Sequence, residues 1–338
     1  MKKFPVLLFA LATLLQAMPS DTCNQNTWVT NGYVDAIVPA GDKVYIGGDF
    51  TQVGPYTGFG VPINSSTGAP LAAFPKINGP VYAACADSNG GWFVGGQFTS
   101  VGGVARNNIA HILSSGSVDP SWNPNANGYC VYALAVSGTT VYAGGAFQSI
   151  GGQSRNCAAA LDATTGNVLA WNPNANSDVL SLAVNGTTVY AGGQFTSIGG
   201  QSRSRIAALD ATTGNILAWN PNAVTLPSQY YNLCQVTCLA VSGEVVYAAG
   251  LFDSIGGQKR QGLAALDATT GNALAWNPNP NGAVSALAVS GTIAYIGGSS
   301  GVLAVYRASS ISQKWMWQQG MDFGHGTLLQ TTTSVHSS

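Results

Sequence analysis

Short apolar runs alternate with clusters of Gly, Ser, Thr, Asn and Asp along almost the whole chain. One stretch displays the pattern. Val131 to Val136 is an apolar run, and Ser137-Gly138-Thr139 turns it. Thr140 to Phe147 is a second run, followed by the Gly-containing connection Ser149 to Ser154. Asn156 to Leu161 is a third. Asp162-Ala163-Thr164-Thr165-Gly166-Asn167 is a hairpin turn, in which Asp bonds its own following backbone and Gly takes the left-handed position. Val168 to Trp171 is a fourth run, closed by Asn172-Pro173-Asn174, since proline cannot donate to a ladder. Runs of this length at this spacing predict β-strands. No run shows the 3.6-residue periodicity of a helix.

The pattern repeats. Gly-Gly-x-Phe begins at Gly47, Gly95, Gly144 and Gly192, is degraded to Ala249-Gly250-Leu251-Phe252, and survives as Gly297-Gly298. The spacings are 48, 49, 48, 57 and 48. Trp-Asn-Pro-Asn keeps step at Trp122, Trp171, Trp219 and Trp276. A fixed period of this size signals a solenoid, a propeller or an array. Four short antiparallel strands per period of about 48 residues predict a propeller blade. The expected fold is therefore all-β, a six-bladed β-propeller of four-stranded blades over residues 24–317. The blades fall near 33–78, 79–127, 128–176, 177–224, 234–281 and 282–317. A parallel β-helix is the structural rival, but its coils lack three hairpin turns per unit. The fifth blade follows an insertion, Val224 to Leu233. Trp28 to Tyr33 echoes Trp122 to Tyr129 and is a candidate closing strand.

Both ends differ from the repeats. Met1-Lys2-Lys3, the apolar run Phe4 to Leu15 and the small residues Ala17 and Ser20 read as a signal peptide over residues 1–20. That run is too short to span a bilayer, so no transmembrane segment is expected. Residues 318–338 read as a Ser/Thr-rich tail. The expected location is secreted, periplasmic or cell-surface.

Charge narrows the partners. Without Lys2 and Lys3, ten basic residues face thirteen acidic ones, a net charge of about −3. Nucleic acid needs a basic footprint and is excluded. Only 7% of residues are charged, so the surface must be Asn, Ser, Thr, Gln and Gly. Six cysteines remain after Ser20; an even count in an exported chain permits disulfides, and buried thiols are the other reading.

The residues at Ala143 to Gly152, Arg155, Leu161-Asp162 and Trp171 to Asn174 resemble the delta-60 repeat, a β-propeller family of unknown function. The similarity runs from about 30 to 317 and is clearest in blades two to five. It implies an exported propeller without assigned catalytic residues. Leu-Asp-Ala-Thr-Thr-Gly-Asn-x-Leu-Ala-Trp is also similar to quinoprotein-like blades, and Gly-Gly after Val-Tyr to kelch repeats.

Two repeated residue types are candidate ligand contacts. Trp122, Trp171, Trp219 and Trp276 serve either to pack neighbouring blades or as sugar-stacking platforms with the following amides. Arg106, Arg155, Arg203 and Arg260 occupy one repeat position; they bond loop carbonyls or form a ring for anions. Asp162, Asp210 and Asp267 are expected turn caps. Catalytic patterns are thin: there is no Gly-x-Ser-x-Gly elbow, no adjacent cysteines and no metal-ligand spacing, so neither cofactor nor metal is expected. Asp49 and Asp253, flanking the tetrad Phe, are the carboxylates to watch for a polysaccharide-acting enzyme. The first reading is a non-catalytic module for a protein or glycan partner. A hydrolase or lyase at the central mouth and a structural spacer are the alternatives.

Overall fold

The computed structural model describes residues 30–40, 43–51, 59–69, 74–225, 234–280, 282–290, 293–298 and 304–307. The signal-peptide region, the tail, Trp28 and most of the insertion at 226–233 lie outside them. Among the described residues there is no helix, and every strand pairing is antiparallel.

Six main sheets follow one another in chain order. In the second unit Val81–Ala86, Trp92–Gly96 and Ile109–Ile112 pair in sequence. Asn127–Ser137, Thr140–Ile150 and Ala158–Asp162 do so in the third, and Val179–Asn185, Thr188–Gly193 and Ile206–Asp210 in the fourth. Gln235–Ser242, Val245–Leu251 and Leu263–Asp267 form the fifth. The flanking sheets are Ala36–Ala40, Lys43–Gly47, Gly60–Asn64 and Val284–Ser290, Ile293–Gly298, Ala304–Arg307. The first strands of successive units lie side by side along this series. Asn31 clamps Thr51 as Asn78 clamps Thr99 and Asn176 clamps Thr196, so the lead-in to the first unit follows the repeat.

The expected fourth strand is not a ladder. Val168 meets Leu161 through an isolated bridge, and Val118, Ile216 and Ala273 do the same in their units. After Leu169 N–H donates to the Ala160 carbonyl, the chain leaves the sheet to place Trp171 in the neighbouring unit, and Pro173 has no N–H to continue pairing. Conversely, the expected connection after the tetrad is a small ribbon: Ser197–Ile198 pairs with Gln201–Ser202, and Ser254–Ile255 with Gln258–Lys259.

The Gly-Gly pair has two separate causes. A Cβ built on the first glycine meets the first-strand valine of the next unit: 2.6 Å from Val81 at Gly47, 2.6 Å from Val131 at Gly95, 2.7 Å from Val179 at Gly144 and 2.7 Å from Val236 at Gly192. The missing side chain is therefore a socket for the neighbour's valine. The second glycine, as at Gly96, Gly145, Gly193 and Gly250, lies against the first-strand backbone of its own unit. There the ladder slips by one residue, between Val81 and Ala83, Val179 and Ser181, Val236 and Cys238, and Val284 and Ala286, with the same shift opposite Gly144 and Gly145. A bulge at this place leaves one residue unpaired and re-aims its side chain.

Each Asp turn is locally complete. Asp162 Oδ1 accepts the N–H groups of Thr164 and Thr165 and the Thr165 hydroxyl; Asp210 and Asp267 repeat this. These bonds, those from Thr165, Thr213 and Thr270 foremost, favour the ionised carboxylate and hold all three groups below their ordinary 3.8. In the first unit Asn64 makes the same bonds through its amide oxygen.

Two predictions follow from these contacts. Gly144→Ala is expected to lower stability by about 1–3 kcal/mol, the scale of core overpacking, because the added methyl group would meet Val179 at 2.7 Å and the Leu182 Cδ1 at 3.3 Å. In urea denaturation, the loss in Gly144→Ala/Val179→Ala should be smaller than the sum of the two single losses; additivity would refute the socket. A depressed folded pKa gives stability that is complete above the unfolded value of about 4 and lost as pH falls through the lower folded value. The triple variant Asp162→Asn/Asp210→Asn/Asp267→Asn should therefore fold at neutral pH yet show a flatter decline of melting temperature between pH 4 and pH 2.

Candidate functional site

The repeated tryptophans are buried, Trp122 at 0%, Trp171 at 1% and Trp219 at 5% exposure. Each indole N–H donates across a unit boundary: Trp122 to the Asp162 carbonyl at 3.1 Å, Trp171 to Asp210 at 3.0 Å, Trp219 to Asp267 at 2.9 Å. The indole of Trp122 lies over Gly166 and that of Trp171 over Gly214, both glycines in the left-handed region. A tyrosine braces each from its own unit, Tyr142 on Trp171, Tyr190 on Trp219 and Tyr247 on Trp276, edge to face at 5.2, 5.0 and 5.4 Å. Tyr142 and Tyr190 also donate into the next turn, to the carbonyls of Ala211 and Ala268. Trp122, Trp171 and Trp219 act as latches between units, and Trp276 is half-buried against its own Tyr247.

The arginines work within a unit. One guanidinium nitrogen donates to the preceding carbonyl, and the other reaches a carbonyl near the exit of the Asp turn. Those acceptors are Asp119 for Arg106 (2.7 Å), Leu169 for Arg155 (3.0 Å), Leu217 for Arg203 (2.9 Å) and Leu274 for Arg260 (2.7 Å). The fork ties the small ribbon to the outer edge of its own sheet, the planar multi-carbonyl role for which Arg suits better than Lys.

Beside the Trp latch between the second and third units lies a groove of about 550 Å³. Its wall carries the amides of Asn123, Asn125, Gln153 and Asn167, the hydroxyls of Ser121 and Thr165, and the backbone of Gly151 and Gly152, with no charged group. Those four amide side chains are exposed. The Gly151 N–H donates to the Pro124 carbonyl, as Gly199 does to Pro173 (2.6 Å) and Gly256 to Pro221 (2.7 Å). Asn125, Asn174, Asn222 and Asn279 all take positive φ, which Asn tolerates. The groove's frame and residue types thus recur at the next two boundaries.

The second unit holds a polar cluster that the sequence reading did not single out. His111 is 7% exposed, with Nδ1 at 2.9 Å from Asp119 and Nε2 at 3.0 Å from Asp87. Its ring stacks on Phe93 at 4.3 Å. Burial pushes the Asp119 carboxyl up, but bonds from Ser121 and His111 overcome this and hold it below its ordinary value. By register, Phe93 pairs with His111 where Tyr142 pairs with Ala160 and Tyr190 with Ala208. The simultaneous Tyr-to-Phe, Ala-to-His and Leu-to-Asp changes at one repeat position were the available signal.

Other reactive groups stand apart. Cys85, Cys130, Cys157, Cys234 and Cys238 are free thiols; Cys23 lies outside the described residues. Burial raises the thiols of Cys130 and Cys157 to about 11, which makes them poor nucleophiles. Asp49 stands beside Asp35, and Asp253 beside Cys234. Among the described residues, no three His, Cys, Asp or Glu side chains come together to hold a metal ion, and no helix is long and apolar enough to cross a membrane. His111→Ala is expected to destabilise by about 3 kcal/mol or more, because it strands two carboxylates with little solvent around them. In chemical denaturation His111→Ala/Asp119→Leu, which restores the residue types of the third unit, should lose less than the single variant; an equal or larger loss would refute the cross-brace.

Among curated proteins none matches this chain. Among solved structures, the crystal structure of the computationally designed Ika8 protein is similar at 18% identity and a TM-score of 0.54, covering 84% of this chain and 74% of that one. This likeness concerns fold alone. The designed Ika4 protein aligns at 21% identity over 52% of this chain and 90% of its own, with a TM-score of 0.36, too low to carry an argument. Residues 95–319 match the PQQ_2 family model, described as outer membrane protein assembly factor BamB. That match spans well over half of the chain and agrees with the quinoprotein-like blade motif and the all-β sheets in series: the chain belongs to this family of propeller-type proteins.

Proposed function

We propose that this protein is an exported, non-catalytic binding module: a closed six-bladed propeller built on delta-60-type repeats, released by cleavage of residues 1–20 to the periplasm, cell surface or medium. Its ligand is a neutral, hydroxyl-rich glycan held in the grooves between units. The observation that supports this reading is the groove between the second and third units. Its wall offers amides, hydroxyls and backbone groups with no charge, a set that can exchange hydrogen bonds with sugar hydroxyls and has no cation of its own to pair with a phosphate or a carboxylate. The same residue types recur beside Trp171 and Trp219, at Asn172, Asn174, Gln201 and Asn215, and at Asn220, Asn222, Gln258 and Asn272. Weak sites repeated along one chain suit a polymer, because the second contact becomes intramolecular. The buried tryptophans supply the frame of each groove, and the arginines hold its rim.

The test is calorimetric titration with dextran, laminarin and galactomannan, alongside their short oligomers. A polymer is expected to bind saturably and at least tenfold more tightly than its oligomer. Asn123→Ala/Gln153→Ala should weaken binding by roughly tenfold, about two lost hydrogen bonds, with little change in melting temperature, because both side chains are exposed and the one bond lost, from Arg155 to Gln153, is itself exposed. Release of reducing sugar would establish the hydrolase or lyase instead. No saturable ligand in the panel, or binding indifferent to the double variant, would refute the groove.

A further inference from the structure

The first-strand bulge recurs in every unit for which the ladder is complete, but its occupant changes. The residue it leaves unpaired is Tyr82, Tyr132, Leu180, Thr237 or Ser285. Asp35 takes the corresponding place in the first unit, just before Ala36 pairs with Gly47. The valine before it and the glycines opposite it are held constant by the socket and by backbone proximity. The bulge residue is under neither constraint, so its chemistry is free to serve something else.

Those residues are not scattered. The first strands of successive units lie together: Leu239 N–H donates to the Ser181 hydroxyl, and the Thr237 hydroxyl to the Val284 carbonyl. Tyr82 and Tyr132 accordingly meet, with ring centroids 5.5 Å apart. Tyr82 feels the charges of Asp35 and Asp49, and Tyr132 that of Asp178. Two more tyrosines flank them in the open, Tyr33 at 74% exposure and Tyr129 at 59%. The arc from the first to the fourth unit is thus aromatic and acidic. Arg205 donates one guanidinium N–H to the carbonyl of Gln194, whose own N–H donates to the Asp178 carbonyl. The remaining bulge residues, Leu180, Thr237 and Ser285, carry no charge.

We propose that this arc, centred on Asp35, Asp49, Tyr82, Tyr129, Tyr132 and Asp178, docks a lysine- or arginine-bearing segment of a partner protein. Charge complementarity carries the choice of partner. A cation over a tyrosine face is attracted by the ring quadrupole, three carboxylates neutralise it, and large exposed tyrosines are the residues on which protein interfaces concentrate binding energy. The uncharged far arc gives the segment one orientation. This site is separate from the inter-unit grooves, and either can fail without the other.

The test uses the full mature chain with hexalysine as probe, in fluorescence titration at low and physiological salt. Saturable binding that weakens with salt is expected. Asp35→Asn/Asp178→Asn should reduce affinity at least tenfold, and Tyr82→Leu/Tyr132→Leu at least threefold. Burial raises the carboxyls of both Asp35 and Asp178, with the Asp49 charge adding to the effect on Asp35, so the asparagine variants should fold at least as stably as the parent. Glu244→Gln, an exposed turn residue, removes one charge elsewhere and should change affinity less than twofold. No saturable binding, or an equal effect of Glu244→Gln and Asp35→Asn/Asp178→Asn, would overturn the site. Spermidine binding as tightly as hexalysine would overturn the assignment to a polypeptide partner.

Discussion

The second, third and fourth units of this protein are each completed by the next one. A tryptophan at the end of one repeat lies across the Asp-Ala-Thr-Thr-Gly turn of its successor and donates to the turn's aspartate carbonyl. A valine at the start of the successor fills the space where the predecessor's glycine has no side chain. A three-stranded sheet with apolar faces must bury them against another element. Here the tyrosines, tryptophans and strand alanines of one unit sit in the same cluster as the valines and leucines of its neighbour. The fold repeats one pair of joints, and the two markers keep step in the sequence because each makes one of them with the following unit.

This arrangement separates what must stay from what can vary. The socket, the latch, the turn caps and the arginine forks consume the repeated residues. Two kinds of position escape them: the amide-rich edge beside each latch, which is uniform, and the bulge residue on each first strand, which is not. A uniform set suits a repetitive ligand, and a varied set suits a partner with a defined shape. Propeller-type folds carry unrelated functions on such free positions, so the argument about function belongs to these two sets and not to the fold.

The all-β, propeller-type series of sheets is readable from the chain because its determinants are local and repeated. Gly-Gly-x-Phe, the Asp turns and Trp-Asn-Pro-Asn each report one contact, and their common period reports the neighbour relation. The tryptophans and arginines were conspicuous for the same reason, but repetition alone could not say whether they faced a ligand or a neighbouring strand. Burial and the donor directions of Trp171 and Arg155 supplied that. The fourth strand was misread because Val168 to Trp171 has strand composition, whereas Trp171 is drawn out of the sheet by a carbonyl in another unit. His111 carries no local signal in the sequence, since Asp87 and Asp119 lie 24 and 8 residues away and only the strand register brings them to its two nitrogens. The bulge residues were invisible as a set. They share no residue type, and their kinship exists only in the pairing of the strands.

The latch has a direction, with the donor at the tail of each repeat and the acceptor in the body of the following one. A copied stretch of gene encoding one period would therefore arrive with both halves of the joint already matched, its own tail fitting its own body. Lengthening or shortening such a protein by whole repeats requires no new complementarity to be invented.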